Sequence, residues 1–292
     1  MVSLELSELR QIHNSVYLCT ANGLDAVYIS NKQVNACISL FGGQLLWFRP
    51  KDHENVIWLG NQAIYSKAQP IRGGIPICFP WFGKSGGEQT HGFARNVDWE
   101  LCDCSEKEGE IKVTLTLRDG APTTSMWPHK FENQLVYTIT EDLKISLVTK
   151  NTDDYSWLYS GAIHTYFNIG NIDGVIVSGI GQSYLDGVDG YKQKVGPDEI
   201  SIDKETIRVC LDSEDTIAIF DNVFDRTINV TNQGHNAAVV WNPWIETTKQ
   251  TADMDDDEYK SMICVESTIY GDNPVKLEPG QSHELNTTIS VK

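Results

Sequence analysis

The sequence has 292 residues, which suits two average domains or one large all-β domain. Hydrophobic residues make up 40% and charged residues 22% of it, a balance that excludes an intrinsically disordered chain. Subtracting 40 acidic from 23 basic side chains gives a net charge of -17, which excludes broad contact with nucleic acid or an anionic membrane. A local cluster of arginines would have to overcome this charge if the substrate were an anion.

The N-terminus, MVSLELSELR, has no basic segment leading into an apolar run. No later stretch stays apolar for the roughly 18 residues that span a membrane, so no membrane partner is predicted. The cysteines number 7, too few and too scattered for a disulfide framework, and a cytoplasmic protein is expected. Cys102 and Cys104 form a close pair, but no second pair stands at zinc-ligand spacing, so no metal site is predicted.

Alternation of apolar and polar residues dominates the chain and predicts half-buried antiparallel strands. In chain order, the predicted strands lie at 34–40, 44–48, 111–118, 135–139, 143–147, 175–177, 216–220, 227–231, 237–241, 262–265 and 285–291. Helical patterns are weak and confined to 3–10 and 247–260, which excludes regular βαβ units. The pattern predicts an all-β fold, one large antiparallel β-sandwich in a single domain over residues 1–292.

The segment RGGIPICFPWFGK at 72–84 combines features of a pocket wall. Its adjacent glycines allow the backbone to approach a ligand closely, and Trp81 and Phe82 offer apolar faces on which a sugar ring can pack. A rigid loop with a surface arginine is the alternative interpretation, because glycine and proline are common in loops of every kind.

A second segment, HGFARN at 91–96, follows a glycine-rich stretch at 83–87. Its Arg95 and the earlier Arg72 together predict an anion site, since a guanidinium group grips phosphate oxygens at two points. There is no phosphate-binding glycine loop or dinucleotide fingerprint, so a nucleotide is disfavoured. For His91, a hydrogen bond to the backbone within a turn is the alternative to a ligand contact.

Two further segments carry groups suited to proton transfer. In WLYSGAIHTYFN at 157–168, burial of His164 would lower its pKa toward or below neutrality and allow proton exchange at pH 7. In MICVES at 262–267, Glu266 ends a strand that is apolar on both faces, and desolvation would raise its pKa and improve it as a base. The alternatives are a satisfied core histidine and a glutamate at the point where the strand reaches solvent.

The acidic run at 253–258 suggests a calcium-binding loop, but the spacing of its residues does not fit one. Counted from Asp253, Glu258 stands where the loop of an EF-hand needs glycine, and Cys264 stands where it needs glutamate. A solvated acidic loop or helix start is expected instead.

The sequence resembles the hexose-6-phosphate mutarotases, or glucose-6-phosphate 1-epimerases, of the aldose 1-epimerase superfamily. The resemblance runs from about residue 30 to the C-terminus and follows the motifs in order: RGGIPICFPWFG (72–83), HGFARN (91–96), SGAIHTYF (160–167), WNPW (241–244), DEYK (257–260) and CVE (264–266). It implies a galactose-mutarotase-like supersandwich and an isomerase that interconverts the α and β anomers of hexose 6-phosphates, most directly glucose 6-phosphate. It also implies a small-molecule sugar phosphate as partner, no cofactor, and a monomer.

The resemblance also implies roles for single residues. His164 matches the general acid, Glu266 the general base, Arg72 and Arg95 the residues that bind the sugar phosphate, and His91 a substrate contact. In this chemistry the base removes the proton from the O1 hydroxyl while the protonated acid donates to the ring oxygen O5. Rotation about C1–C2 in the open aldehyde and reversal of both transfers then give the other anomer.

Two positions depart from the family pattern. Ile207 stands where relatives carry an aspartate, and Thr90 stands where some carry a glutamine, so the sequence does not fix the preferred hexose. Three other functions stay open: a sugar-binding module on the same fold, a mutarotase of unphosphorylated aldoses, and a glycosidase. The last is the weakest, because it needs two carboxylates and the sequence offers one convincing candidate.

Overall fold

Strands form most of the ordered elements in residues 4–84 and 89–292, which the computed structural model describes. The first strands are β1 (Leu6–Gln11), β2 (Val16–Ala21), β3 (Leu24–Ser30), β4 (Val34–Ser39), β5 (Leu45–Pro50), β6 (Ile77–Cys78), β7 (Glu100–Lys107) and β8 (Glu110–Arg118). They are followed by β9 (Phe131–Ile139), β10 (Leu143–Asn151), β11 (Trp157–Tyr159), β12 (Gly161–Ile163), β13 (Tyr166–Asn168), β14 (Val175–Ser178), β15 (Ser183–Asp186) and β16 (Lys192–Val195).

The remaining strands are β17 (Glu199–Ser201), β18 (Thr206–Cys210), β19 (Thr216–Asp221), β20 (Arg226–Gln233), β21 (Ala237–Asn242), β22 (Met262–Ile269), β23 (Val275–Leu277) and β24 (Ser282–Val291). The helices are short: α1 (Ala121–Thr124), α2 (Trp244–Gln250) and 3-10 turns at Ala94–Asn96, Ile172–Gly174, Gly187–Asp189 and Glu258–Lys260. Within residues 4–84 and 89–292, no helix has the length and apolar character needed to cross a membrane.

These strands pair antiparallel in two large sheets and two smaller ones. A 9-stranded sheet has the order β17-β14-β19-β20-β24-β10-β9-β8-β7, and an 8-stranded sheet has the order β16-β15-β18-β21-β22-β12-β6, with β13 also paired to β22. Strands β1 to β5 form a 5-stranded meander, and β11 pairs with β23. The predicted all-β antiparallel fold is confirmed.

The main core lies between the two large sheets, because apolar residues from both belong to one buried cluster. Leu143 and Ile145 of β10 and Leu285 of β24 enter it from the 9-stranded sheet, and Ile263 and Val265 of β22 enter it from the 8-stranded sheet. Period-two alternation therefore places the intervening side chains of β22 on the opposite face.

That opposite face carries the functional groups. Cys264 and Glu266 alternate with the core residues of β22, and Val239 and Trp241 do the same on the neighbouring β21. The register pairs Val239 with Glu266 and Trp241 with Cys264. Because side chains directly opposite each other in paired strands lie close together, these residues form one patch on the outer face of the sheet.

The first weak helix prediction was wrong, and the second was confirmed only in part. Residues 6–11 form β1, which gains backbone hydrogen bonds from β2 in the meander, and Ser3 lies outside the described residues. The second helix begins at Trp244 and ends at Gln250, well before the predicted end at Lys260. Beyond it the acidic side chains bond to other parts of the chain, and these contacts outweigh the weak local helical preference.

Candidate active site

A cavity of about 1050 Å³ covers the outer face of the 8-stranded sheet. Its floor is formed by strand residues, which are Ile207, Val209, Val239, Trp241 and Glu266. Its walls come from loops and strand breaks, and they include Arg72, Phe82, Thr90, His91, Arg95, His164, Tyr166 and Asp253. All the site residues predicted from the sequence therefore line one cavity, although they are separated by almost 200 positions along the chain.

His164 and Glu266 meet at the buried end of this cavity. His164 Nε2 lies 3.5 Å from Glu266 Oε1, and the two side chains are only 6% and 2% exposed. The alternative of a glutamate at a solvent-exposed strand end is wrong: β22 continues to Ile269, and Glu266 lies in its interior. Such a distance allows a proton to pass between the two groups after a small movement.

Burial shifts the pKa values of this pair in opposite directions, as the sequence predicts. Desolvation raises the pKa of Glu266 well above its ordinary range, and the positive charge of Arg95 opposes this. Desolvation lowers the pKa of His164 far below its usual value, and His91, Arg95 and Arg72 lower it further. The protein surroundings alone thus favour the uncharged forms of both groups, so a protonated His164 requires an added negative charge nearby.

The backbone around His164 is broken so that its ring faces the cavity. Residues 164 and 165 separate β12 from β13, and the His164 N–H donates to Pro76 O at 3.0 Å. The imidazole stacks on Tyr166, with ring centroids 4.8 Å apart and planes inclined by 7°. This stacking fixes the imidazole beside Glu266.

Arg72 is held by two partners in the cavity wall. Its Nε donates to Asp253 Oδ1 at 3.1 Å and its Nη1 donates to the Tyr166 hydroxyl at 3.3 Å. Burial acts to lower the pKa of Arg72, but Tyr166 and Asp253 outweigh burial and raise it overall. Arg72 is therefore a fixed positive charge with N–H groups left over for a ligand.

Arg95 and His91 come from the turn after residues 85–88, which include Gly86 and Gly87 of the predicted glycine-rich stretch and lie outside the described residues. Arg95 Nη2 donates to Thr90 O at 2.8 Å, while its buried Nε has no hydrogen-bond partner among the residues described. This leaves a donor of Arg95 available beside the cavity.

His91 bonds to the backbone within a turn and also lies in the cavity wall. Its Nδ1 accepts from Gly83 N at 3.2 Å, which is a backbone contact within a turn, and its ring also lines the cavity 5.5 Å from the ring of His164. Burial, followed by the charges of Arg95 and Arg72, lowers the pKa of His91 to about 3. The imidazole is neutral at pH 7, so its Nε2–H can donate to a ligand oxygen.

Three details of the predicted pocket wall differ in the structure. Phe82 lines the cavity, but Trp81 turns into the core, where its Nε1 donates to Gln89 O at 2.7 Å. Gly73 and Gly74 approach protein backbone instead of a ligand: a Cβ at these positions would lie 2.5 Å from Trp58 O and 2.6 Å from Leu45 O. Their positive φ angles of 95° and 70° let the strands pack this closely.

The acidic run is only partly solvated, contrary to expectation. Asp253 bonds to Arg72, and the buried Glu258 accepts from Asn61 N at 2.6 Å and Asp255 N at 2.8 Å. These contacts hold the acidic segment 253–258 against the cavity wall. Asp253, Tyr166 and Trp241 are site residues that sequence reasoning did not assign, and the position of Asp253, 181 residues from its partner, gave no signal in the sequence.

The family of this chain follows from comparison with known proteins. The model of the family described as aldose 1-epimerase matches residues 25–290. The chain belongs to the aldose 1-epimerase family. It is therefore an isomerase of the epimerase class, and the resemblance seen in the motifs is confirmed.

Individual relatives extend over nearly the whole chain. A Salmonella typhimurium protein provisionally named glucose-6-phosphate 1-epimerase is 35% identical over 271 residues, covering 92% of this chain and 90% of the relative. A Cenchrus ciliaris protein with the same provisional name is 36% identical over 285 residues, covering 93% and 86%. The crystal structure of a provisionally named mutarotase from Salmonella typhimurium superimposes with a TM-score of 0.92 at 32% identity, covering 99% and 96%.

Proposed function

We propose that this epimerase interconverts the α and β anomers of hexose 6-phosphates, with glucose 6-phosphate as the main substrate. The observation that carries the proposal is a single cavity that joins a buried imidazole–carboxylate pair to two arginines. The pair suits proton transfer at the anomeric centre, and the arginines suit the phosphate. The names of the Salmonella and Cenchrus relatives support the same substrate.

The reaction needs one base and one acid in contact with the same sugar. In the proposed mechanism, Glu266 as carboxylate takes the proton of the O1 hydroxyl while His164 as imidazolium gives a proton to the ring oxygen O5. The C1–O5 bond breaks and the open aldehyde forms; rotation about C1–C2 and reversal of both transfers close the other anomer. Each positioned group typically contributes about 10²- to 10⁴-fold, so the pair suffices without a cofactor.

The phosphate also prepares the pair for this reaction. Arg72 and Arg95 are among the causes of the low pKa of His164. A dianionic phosphate bound between these arginines offsets their charge and so raises the pKa of His164, which favours transfer of the Glu266 proton to the imidazole. The uncharged pair then becomes the carboxylate–imidazolium pair that the reaction requires, with no change in net charge.

The apolar part of the cavity floor, around Ile207, determines how a sugar would contact this chain. Ile207 lies beside Val209 and pairs across the sheet with Trp241, so this part of the floor is apolar. A sugar would pack here through its C–H groups, because a hydroxyl placed against these side chains would lose its hydrogen bonds to water. The apolar floor at Ile207 and the smaller side chain at Thr90 are thus proposed to set the hexose preference.

NMR exchange between the anomers of glucose 6-phosphate and of glucose tests the proposal. Charge-assisted contacts to phosphate contribute roughly 1.5 to 3 kcal/mol each, so we expect kcat/KM to favour the phosphorylated sugar by at least about 10²-fold. Arg72→Ala and Arg95→Ala should each reduce that preference. The control Arg118→Ala, at an exposed arginine outside the cavity, should leave it unchanged.

Equal efficiency on glucose and glucose 6-phosphate would reject the phosphate role and favour a mutarotase of unphosphorylated aldoses. Saturable binding of glucose 6-phosphate without faster anomer exchange would favour a sugar-binding module. Release of a second sugar from a glycoside phosphate would favour a glycosidase, and the structure supplies only one carboxylate, Glu266, beside His164 among the described lining residues.

We further propose that the chain works as a monomeric single domain over residues 1–292 in the cytosol. Its cysteines are free in the structure, which suits a reducing compartment. A mass of 32.7 kDa measured by light scattering is the expected result for a monomer. A doubled mass would overturn this part of the proposal.

A further inference from the structure

A third chemical group lies beside the His164–Glu266 pair. Cys264 occupies the same face of β22 as Glu266, two residues before it. One ligand atom each of His164, Cys264 and Glu266 lie within 4.8 Å of one another, and all three side chains are buried. The fold thus brings an imidazole nitrogen, a sulfur and a carboxylate oxygen together at the buried end of the cavity, where His164 and Glu266 form its lining and Cys264 lies behind them in a buried cluster.

Two atoms at this point lack a hydrogen-bond partner. Across residues 4–84 and 89–292, neither His164 Nδ1 nor Glu266 Oε2 is paired, although both are buried. Unpaired buried polar atoms are uncommon and point to a missing ligand or ion. A neutral imidazole has one ring nitrogen that can accept, and with His164 Nε2 3.5 Å from Glu266 Oε1 and with Oε2 unpaired, both residues can bind a common metal ion.

The nitrogen, sulfur and oxygen donors of this trio suit zinc and do not suit calcium or magnesium. Zinc takes nitrogen, sulfur and oxygen ligands, and three protein ligands with one open position is a common zinc geometry, whereas calcium and magnesium require oxygen ligands almost exclusively. In a tetrahedral zinc site the ligand atoms lie about 3.5 Å apart. The observed separations therefore need side-chain movements of only about 1 Å.

We propose that His164, Cys264 and Glu266 form a zinc site at the base of the cavity, and that zinc bound there reversibly inhibits the enzyme. The metal takes lone pairs on both proton-transfer groups, and its open position faces the space that the sugar occupies. The thiol proton, and the carboxyl proton where present, pass to solvent on binding. The sequence predicts no metal site, because no second cysteine pair accompanies Cys102 and Cys104. That reasoning misses the present trio, since its ligands come together only in the folded chain, through β22 and the break before β13.

Cys264 provides the decisive variant because it has no part in the proposed reaction. Cys264→Ser keeps the shape and removes the soft ligand, and Cys264→Ala removes the ligand atom entirely. Both should keep the anomer exchange of the unmodified protein. Cys78→Ser is the matched control, since Cys78 is another buried cysteine near the site but outside the trio.

The first measurement is a titration with Co²⁺ followed by absorption. Thiolate-to-cobalt charge transfer should appear in the near-ultraviolet for the unmodified protein and for Cys78→Ser, and should be lost in both Cys264 variants. The second is a titration with Zn²⁺ during anomer exchange, in which the Cys264 variants should need at least about 10²-fold more zinc for half inhibition.

Either of two results would overturn the proposal: no charge-transfer band in the unmodified protein, or equal zinc inhibition with and without Cys264. The inhibition arm depends on the proposed function, but the cobalt spectrum does not. A protein that binds cobalt through Cys264 yet does not exchange sugar anomers would keep the metal site and reject the proposed function.

Discussion

Two buried pairs of titratable side chains in this protein have similar distances but different surroundings. His164 Nε2 and Glu266 Oε1 are 3.5 Å apart, and Arg226 Nε and Asp221 Oδ2 are 3.7 Å apart. The side chains of the second pair are 2% and 0% exposed, so both pairs are removed from solvent. Distance and burial alone do not tell which pair has a chemical function.

The Arg226–Asp221 pair is tied to several backbone groups, although the buried Nε of Arg226 has no hydrogen-bond partner among the described residues. Arg226 donates from Nη1 to Glu54 O at 2.9 Å and from Nη2 to Asn168 O at 2.6 Å. Asp221 Oδ2 accepts from Gly170 N at 3.0 Å. These bonds join strands β19 and β20 to the loops around residues 54 and 170, so the pair acts as a structural link.

The His164–Glu266 pair has unpaired atoms and a cavity in front of it. Evidence for function comes from this combination, because an unsatisfied buried group has a free energy cost that structure alone does not compensate. Arginine charges on the cavity side then adjust its protonation, whereas neither Arg226 nor Asp221 is among the described residues that line this cavity. The difference indicates that unsatisfied bonding capacity beside open space, more than burial, marks the reactive pair.

The largest expected effect comes from Glu266→Gln. The carboxamide keeps the shape but cannot accept the O1 proton, so we expect kcat/KM for glucose 6-phosphate to fall by about 10³-fold while the urea midpoint stays the same or rises. Glu258→Gln is the matched control at another buried glutamate, and it should lower stability with little effect on kcat. Near-normal exchange by folded Glu266→Gln would reject Glu266 as the base.

Asp221→Ala should show the reverse behaviour. It leaves the Arg226 charge buried without its partner, and removing one member of a buried pair costs about 3 kcal/mol of unfolding free energy. We expect urea unfolding to reveal this loss while kcat per folded molecule changes by less than about twofold. Glu141→Ala, at an exposed turn, is the control for stability. A large fall in kcat for Asp221→Ala would contradict the separation of the two pairs.

His164→Asn should lower kcat by about 10²-fold with little change in the binding of glucose 6-phosphate. The effect is smaller than that of Glu266→Gln because His91, whose ring lies 5.5 Å from that of His164, remains in the cavity as a weak donor. Single-turnover exchange and equilibrium binding separate the two quantities, with His283→Asn as a histidine control outside the cavity. Lost affinity with normal turnover of bound substrate would make His164 a binding residue.

The smallest effect concerns acid stability and His91. Its folded pKa of about 3 lies below the ordinary value for histidine, so the unfolded chain binds the proton first as the pH falls. This contribution to stability is present above about pH 6.5 and is lost on acidification, by about 1 kcal/mol per pH unit at most. His91→Gln should lose less stability between pH 6.5 and pH 5 than the unmodified protein, as measured by urea unfolding. An unchanged slope would contradict this.

Much of the fold was predictable from local pattern. Alternation located the strands that become β4, β5, β8 to β10, β14, β19 to β22 and β24, because period-two burial is a property of a strand and needs no knowledge of its neighbours. The same argument failed for residues 6–11, where pairing with β2 decides the structure. It also placed Glu266 at the end of its strand, because Ser267 and Thr268 are polar residues that are nonetheless buried.

The sequence by itself determined the fold class, the family motifs and the residue types that proton transfer and phosphate binding require. Only the tertiary structure decided which of these groups meet. The Arg72–Asp253 contact, the stacking of His164 on Tyr166 and the approach of Cys264 to both proton-transfer groups depend on strand register and loop closure. These arise from contacts between residues far apart in the chain, for which local pattern carries no physical signal.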